Sequence, residues 1–295
     1  MQGQYMRSAA DDLANGVSRE SRYYFSRFSR LYEESGARYR APLAVAILTV
    51  AFEQYPVWIG SPIKEFIYGR LILDLLGAGL VLSCLITVPA LTSRWAIGVF
   101  IAIAIAIILP DWTGIANHTY LALWCIPVAV LFREWWKSDL YALYLRMTLG
   151  VVMLGAFAQK ILAGSYVDGS FIDYISTHGA TTERMFSFMC SSDWTVPCVY
   201  HQAISIFILA WQLIVGILLL AGLNSLVFLA IEIGFLLGAG VYADEMNFQI
   251  LNVALLCIVF RFGMPLWLLA VSLALLIIDY FHISELLPLV LSHAA

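Results

Sequence analysis

Long apolar runs constrain the fold of this chain more than any other feature. Runs of roughly 17–22 mainly apolar residues recur between residues 42 and 281, and about 20 such residues in a helix cross the hydrocarbon core of a bilayer. Only helices and closed barrels satisfy all their backbone polar groups in lipid. A barrel strand alternates apolar and polar residues, whereas residues 101–108 do not alternate. The sequence therefore predicts an all-α, polytopic integral membrane bundle.

The composition agrees with a chain that lies mostly in lipid. Of its 295 residues, 62% are hydrophobic and 12% are charged, against about 45–50% apolar and about 25% charged in ordinary soluble domains. There are 16 Lys and Arg against 20 Asp and Glu, which is too few charges to cover a globule of this size. Outside the first 40 residues no basic patch could follow a phosphate backbone, so no nucleic-acid partner is predicted.

The hydrophobic spans can be assigned in chain order. We expect them at residues 42–59, 71–88, 95–109, 115–132, 143–162, 203–223, 226–242, 246–260 and 265–281. The third and the eighth are short for a membrane crossing, so about seven to nine transmembrane helices agree with the sequence. The polar stretch at residues 163–199 is expected to be irregular. Because no internal repeat is recognisable in the sequence, residues 41–295 are predicted to form one membrane domain.

The first 40 residues differ in character from the rest because they contain seven arginines. Tyr24, Phe28, Leu31 and Tyr32 share one face of a helix. Residues 18–35 are therefore predicted to form an amphipathic helix on the membrane surface. The alternative is a partly disordered arginine-rich tail. In either form the positive charge places the N-terminus on the cytoplasmic side of a bacterial inner membrane or an organellar equivalent.

Starting from the cytoplasm, the order of the spans determines which residues share a membrane face. The cytoplasmic joints then carry the basic residues that the positive-inside rule requires: Arg94, Arg133, Lys137 and Arg261. The outer ends of other spans carry His118, Lys160 and Asp244. Ionisable residues in spans cost roughly 2.5–3.5 kcal/mol each on insertion scales and usually face a cavity or a partner. We therefore expect a polar pocket open to the outer leaflet, with these three residues as candidate catalytic groups.

Each of these residues also has a simpler interpretation. The alternative for Lys160 is that its ammonium extends to the lipid headgroups. The alternative for His118 is an ordinary residue at a helix start, and for Asp244 a solvated loop. Glu232 lies in the middle of the seventh span, where it requires a hydrogen-bond donor or a proton. It is therefore counted among the candidate substrate-binding residues.

The cysteines fall into two groups. Three lie within predicted spans and are expected to be small apolar core residues: Cys84, Cys125 and Cys257. Cys190 and Cys198 lie in the polar outer stretch, where an oxidising compartment would allow them to form a disulfide. No C-x-x-C pair and no recognisable His/Cys ligand spacing is present, so no metal site is predicted.

Three short segments are informative in combination. They are NHTYL at 117–121, GAFAQKILAGSYVDGSFIDYIS at 155–176 and DEMNFQ at 244–249. In the same order they resemble the N-H-S-Y-L, A-G-x-K-K-L…W-x-x-G…Y-L and F-H-x-M-N-x-Q segments of the vitamin K-dependent gamma-carboxylase family. That membrane domain is shared with bacterial HTTM (horizontally transferred transmembrane domain) proteins. The resemblance covers roughly residues 40–265, and all three segments fall on the predicted outer face.

The resemblance implies an enzyme that uses a reduced quinone, oxygen and carbon dioxide. Lys160 matches the lysine that deprotonates the hydroquinone, and His118 matches a histidine that acts near the carbanion or carbon dioxide. Two departures are that Gln159 replaces the first lysine of a pair and Asp244 replaces a histidine. The matched segments also contain the candidate substrate-binding residues: Asn117, Tyr120, Tyr166, Asn247 and Gln249.

Two hypotheses from different classes follow. The first is a minimal quinol- or lipid-linked enzyme of the outer membrane face, with a quinone, hydroquinone or other lipid as cofactor and no metal. The large region that binds a peptide substrate is not expected, because the chain ends soon after the last span. The second is a non-catalytic structural or assembly subunit, which contacts other membrane subunits through the N-terminal helix. A transporter ranks third, because no repeat of broken helices is recognisable.

Overall fold

The computed structural model describes residues 26–280, apart from positions 28, 33, 35, 61 and 244 and segments 89–92, 111–116, 179–189 and 191–197. Within these ranges every regular element is helical and no strand occurs. The predicted all-α class is therefore confirmed. Three of the described helices are long and apolar enough to cross a membrane: Arg70–Thr87, Asp139–Ala163 and Val199–Leu220. The number of crossings and the membrane side stay predictions.

The α-helices follow one another with short connections. In chain order they are α1 (Ala37–Gly60), α2 (Pro62–Tyr68), α3 (Arg70–Thr87), α4 (Arg94–Ile108), α5 (Asn117–Cys125), α6 (Asp139–Ala163), α7 (Ser170–His178), α8 (Val199–Leu220), α9 (Leu226–Ala243), α10 (Met246–Val259) and α11 (Leu266–Tyr280). Two 3-10 segments, Pro127–Leu131 and Trp135–Lys137, lie between α5 and α6.

Helix α10 is the centre of the bundle. Twelve of its 14 residues are buried, and a helix that is apolar on all sides belongs inside a bundle. Helices α1 and α9 pack against it most extensively, and α6, α11 and α5 complete its surroundings. The start of α10 therefore lies where several other helices begin or end.

Helices α6 and α8 form another closely packed pair, with two glycines at the point of contact. A Cβ added to Gly150 would lie 2.8 Å from Leu220, and one added to Gly216 would lie 2.8 Å from Leu154. The same two positions would bring each new Cβ within 3.3 Å of the other glycine's carbonyl oxygen. Small residues of this kind let two membrane helices approach closely.

One end of the bundle joins the N-terminal segment to the turn between α10 and α11. The hydroxyl of Tyr32 donates to the carbonyl oxygen of Met264 at 2.7 Å, and the amide of Met264 donates to the carbonyl oxygen of Arg38 at 2.8 Å. The guanidinium of Arg261 donates to the carbonyl oxygen of Lys137 at 3.3 Å. Several basic residues from distant parts of the chain thus gather at this end, which we call the basic end.

Several predicted bounds require correction. The stretch 163–199, expected to be irregular, contains helix α7, and the short helix α2 was not predicted. The fourth span is not one continuous α-helix, because α5 ends at Cys125 and a 3-10 segment begins at Pro127. Proline lacks the amide hydrogen that would continue the α-helical ladder. Helix α6 begins at Asp139 rather than at residue 143, because the Ser138 hydroxyl caps it.

The predicted surface helix at residues 18–35 is described only in part. Residues 26–27, 29–32 and 34 are helical, whereas Tyr24 and Phe28 lie outside the described residues. Leu31 is exposed and Tyr32 is buried. At least the Tyr32 side of this segment therefore packs against the basic end of the bundle.

Candidate functional site

A cavity of about 1120 Å³ lies among helices α5, α6, α8, α9 and α10. Its walls are continuous helix faces, because the lining residues recur at helical spacing. Helix α6 contributes Val152, Met153, Ala156, Gln159 and Lys160. Helix α8 contributes Ile204, Phe207, Ile208, Trp211 and Gln212, and α9 contributes Glu232, Phe235, Leu236 and Ala239. The cavity thus extends along several helix turns.

The polar residues at one end of the cavity come from helix ends. Glu53 lies in the second half of α1, His118 at the start of α5, Lys160 at the end of α6 and Asn247 at the start of α10. Helix α1 begins beside Met264 at the basic end. These four residues therefore lie toward the end of the bundle opposite the basic end.

His118 and Glu53 form an ion-pair contact on the cavity wall. His118 Nε2 lies 2.7 Å from Glu53 Oε2, and the side chains are 17% and 22% exposed. The amide of Asn247 donates to the same carboxylate oxygen at 3.2 Å and to the carbonyl oxygen of Thr49 at 3.3 Å. Asn247 thereby fixes the carboxylate that holds the imidazole. An imidazole held in this way can accept or donate a proton toward the cavity.

Lys160 is held by an aromatic ring. Its Nζ lies 4.8 Å from the centroid of the Tyr166 ring, which stacks on Phe171 at 4.4 Å. Among the described residues, no carboxylate forms an ion pair with Lys160. Burial, and then the negative charge of Glu245, raise the pKa of the Tyr166 hydroxyl, so this phenol stays neutral. The amine therefore faces the cavity beside a neutral ring.

A buried carboxylate lies farther along the cavity. Glu232 is only 1% exposed, and the indole Nε1 of Trp211 donates to its Oε2 at 2.7 Å. The rings of Phe235 and Phe207 lie 5.6 Å and 6.2 Å from the Trp211 ring. This part of the cavity therefore combines one carboxyl group with aromatic walls.

Two amide oxygens on the cavity wall add to the acceptors. Gln212 Oε1 and Asn247 Oδ1 are buried and have no donor within the described part of the chain. Buried polar atoms in proteins are nearly always hydrogen-bonded to protein, water or ligand. A bound molecule with hydroxyl groups would supply the missing donors.

The structure brings most of the residues selected from the sequence to this one cavity. Seven of them line it: His118, Tyr120, Lys160, Tyr166, Glu232, Asn247 and Gln249. Asp244 lies outside the described residues, and so does the side chain of Asn117, whose backbone begins α5. The sequence did not single out Trp211 or Gln212. Their helical spacing from Ile204 was the available signal, but it equally fits a packed helix face.

A second polar cluster lies where α7 meets α8. Cys190 and Cys198 form a disulfide, and a ring nitrogen of His201 and the two sulfur atoms all lie within 4.8 Å of one another. His201 Nδ1 lies 2.5 Å from Asp173 Oδ1. In a disulfide the two sulfur atoms are not thiolates, and the thiolate is the form of cysteine that binds metal.

In chemical terms the cavity offers one amine, one carboxylate–imidazole pair, one buried carboxylate and several aromatic rings. Such a combination can bind an aromatic molecule with polar substituents and transfer a proton to or from it.

Comparison of the chain with protein-family models, with curated protein sequences and with solved structures gave no match.

Proposed function

We propose that this chain is a multi-pass membrane enzyme that binds a reduced quinone in the cavity and uses Lys160 to remove a proton from a ligand hydroxyl. The observation that carries the proposal is the position of the Lys160 amine. It lines the same cavity as the His118–Glu53 pair, and it contacts Tyr166 rather than a described carboxylate.

Exposed apolar side chains support a location in the membrane. Phe66 is 90% exposed and Leu162 is 87% exposed, and many further Leu, Ile, Val and Trp side chains on the helix surfaces are exposed as well. Soluble monomers rarely expose large contiguous apolar patches. In a bilayer the same side chains would contact acyl chains, and no unfavourable contact with water would result.

The cavity fits a reduced quinone in size and in hydrogen bonding. Its volume of about 1120 Å³ exceeds the roughly 300–1,000 Å³ that is usual for ligand pockets, which leaves room for an aromatic head and part of an isoprenoid tail. Gln212 Oε1, Asn247 Oδ1 and the Glu232 carboxylate are acceptors. The two hydroxyls of a hydroquinone are donors, whereas an oxidised quinone has only carbonyl acceptors. The acceptors therefore favour the reduced form.

Lys160 would act as the base. Glu245 lines the same cavity and its negative charge acts on the amine, but within the described residues it forms no ion pair with Lys160. A neutral aromatic face holds an ammonium less strongly than a paired carboxylate does. The amine can therefore lose its proton and then accept one from a ligand hydroxyl. When bound, a reduced quinone would supply the electrons that reduce molecular oxygen, which is the chemistry that the carboxylase resemblance implies.

His118 would handle a second proton. Its imidazole is held by Glu53, and the Asn247 amide orients that carboxylate. A histidine held by a carboxylate at Nε2 keeps a fixed orientation, and Nδ1 is the ring nitrogen left for proton transfer. Two proton-transfer groups on one cavity agree with the resemblance of segments 117–121, 155–176 and 244–249 to the carboxylase membrane domain.

The direct test is hydroquinone-dependent oxygen uptake by the purified protein in lipid nanodiscs. A short-chain hydroquinone is added, and its binding is followed anaerobically by quenching of tryptophan fluorescence. We expect Lys160→Met to keep binding and to lose uptake by about 10²-fold or more, the usual contribution of a general base. Lys137→Met, which changes an exposed lysine at the basic end, is the matched control. Equal uptake by Lys160→Met and wild type, or no binding by wild type, would refute the proposal.

A further inference from the structure

The disulfide between Cys190 and Cys198 lies against a buried histidine–carboxylate pair that the cavity does not use. His201 and Asp173 are 2% and 5% exposed, and His201 Nδ1 lies 2.5 Å from Asp173 Oδ1. A ring nitrogen of His201 lies within 4.8 Å of both sulfur atoms. We propose that this disulfide is a thiol–disulfide exchange site for external thiols, with His201 as its acid–base group.

The surroundings of the disulfide favour reactivity over a purely structural role. A bond that only ties a loop needs no ionisable neighbour, and burying an imidazole and a carboxylate is unfavourable unless they are paired. A histidine beside a cysteine stabilises the thiolate, which is both the nucleophile and the leaving group in exchange. Cys190 and Cys198 are half-buried rather than enclosed. The disulfide is therefore not sealed inside the bundle.

Helix packing holds the histidine–carboxylate pair independently of the disulfide. Asp173 lies on α7 and His201 in the first turn of α8. The two helices meet at Gly169, where φ is +85° and an added Cβ would lie 2.8 Å from the backbone of Gln202. Glycine is suited both to this left-handed backbone and to the close approach. The pair therefore has helix packing as a support besides the sulfur–sulfur bond.

The exchange proceeds in two balanced steps. An external thiolate attacks one sulfur of the pair, a mixed disulfide forms, and the other cysteine leaves as a thiolate that His201 stabilises and protonates. A second external thiolate then attacks the external sulfur of the mixed disulfide and releases the second cysteine, which takes up a proton. In total two external thiols become one external disulfide, and two electrons and two protons pass to Cys190 and Cys198. Asp173 holds the imidazole ring and is a positioning residue.

The test measures the redox equilibrium of the full chain in lipid nanodiscs. The protein is incubated in glutathione buffers of graded potential, quenched with acid, denatured and labelled with a maleimide of defined mass. The buried free thiols of Cys84, Cys125 and Cys257 give a constant count of three labels, and reduction adds two. We expect wild type to equilibrate without denaturant. His201→Asn should slow exchange about tenfold and shift the equilibrium about tenfold toward the disulfide, which corresponds to about 30 mV.

Asp173→Asn should slow exchange and shift the equilibrium toward the disulfide, each by a smaller factor than His201→Asn. This variant keeps the size of the side chain, so it can replace His201→Asn if that variant folds poorly. Asp168→Asn, which changes an exposed carboxylate just before α7, is the matched control and should match wild type. A bond that resists glutathione until denaturant is added would overturn the proposal. So would equal exchange in wild type and Asp173→Asn, or stoichiometric zinc bound to the reduced protein before the acid quench. Lys160→Met should exchange normally, so this outcome is separate from that of the oxygen-uptake test.

Discussion

Trp211 donates its indole hydrogen to the carboxylate of Glu232 at 2.7 Å, although both residues lie in the middle of apolar helices. Trp211→Phe would keep an aromatic ring but leave a buried carboxylate without its donor. Loss of one partner of a buried hydrogen bond costs about 1–3 kcal/mol. We expect that loss in the free energy of unfolding, measured by titration with sodium dodecyl sulfate in mixed micelles.

The double variant Trp211→Phe/Glu232→Leu is the control for this interaction. It removes both partners, and replacement of both by apolar groups is nearly neutral in many proteins. We therefore expect the double variant to be more stable than Trp211→Phe alone. Glu232→Leu is measured as the second single variant. If the losses in Trp211→Phe and Glu232→Leu add up to the loss in the double variant, the hydrogen bond does not stabilise the bundle.

The glycine contact between α6 and α8 should determine the strength of that interface. Gly216→Ala places a methyl group 2.8 Å from Leu154 and 3.2 Å from the carbonyl oxygen of Gly150. Overpacking of this kind usually costs about 1–3 kcal/mol. The same detergent titration should show this loss. Gly155→Ala on α6 meets nothing within 4 Å and should be neutral or slightly stabilising, since alanine favours helix; an equal loss in both variants would contradict the interface.

His118 should affect turnover more than binding. His118→Gln keeps a polar side chain but removes the group that exchanges protons beside Glu53. We expect kcat for hydroquinone-dependent oxygen uptake to fall about 10²-fold, with little change in hydroquinone affinity measured by tryptophan quenching. A matching loss of affinity with unchanged kcat would assign His118 to binding alone.

The direction of insertion can be tested with single introduced cysteines. Asp168 is exposed next to the cavity end, whereas Lys137 is exposed at the basic end. The free native cysteines are buried and should not react. In intact cells we expect a membrane-impermeant maleimide to label Asp168→Cys and not Lys137→Cys, because the basic end is predicted to face the cytoplasm. The opposite pattern would invert the topology.

The ion pair between Arg261 and Asp139 should contribute little. Asp139 is almost fully exposed, and exposed ion pairs are usually worth about 0–1 kcal/mol. Tyr32→Phe at the same end removes a buried hydrogen bond to Met264, which should cost about 0.5–1.5 kcal/mol. Detergent titrations of Asp139→Asn and Tyr32→Phe compare the two; the reverse order of effects would show that charge dominates at this end.

The sequence predicted helices well where the apolar runs were long, since a span of that length has few alternatives in lipid. It also grouped His118 with Lys160, because each lies at a helix end on the same predicted face and span order determines which ends meet. It did not predict helix α7, which is short and amphipathic within a polar stretch. Nor did it identify the break after Cys125, although Pro127 was visible.

Side-chain partners were harder to predict than helix positions. Glu232 was expected to need a hydrogen-bond donor or a proton, and any donor on a neighbouring helix would have met the first of these needs. Only the rotation of α8 about its axis places Trp211 opposite Glu232. Asp173 and His201 are 28 residues apart, and their contact depends on how α7 lies against α8. Helix packing angles and rotations arise from many small contacts that a periodic pattern does not contain.

The central position of α10 has a consequence for biosynthesis. Helix α1 is made early, yet its main packing partner is α10, and the Asn247 amide contacts Thr49 across 198 residues of sequence. Helix α1 can therefore complete its packing only after α10, which begins at Met246, has left the ribosome. Until then its polar residue Glu53 lacks Asn247 as a donor. Synthesis that stops before α10 would leave α1 in the bilayer without its main packing partner, which makes such fragments targets for membrane proteolysis.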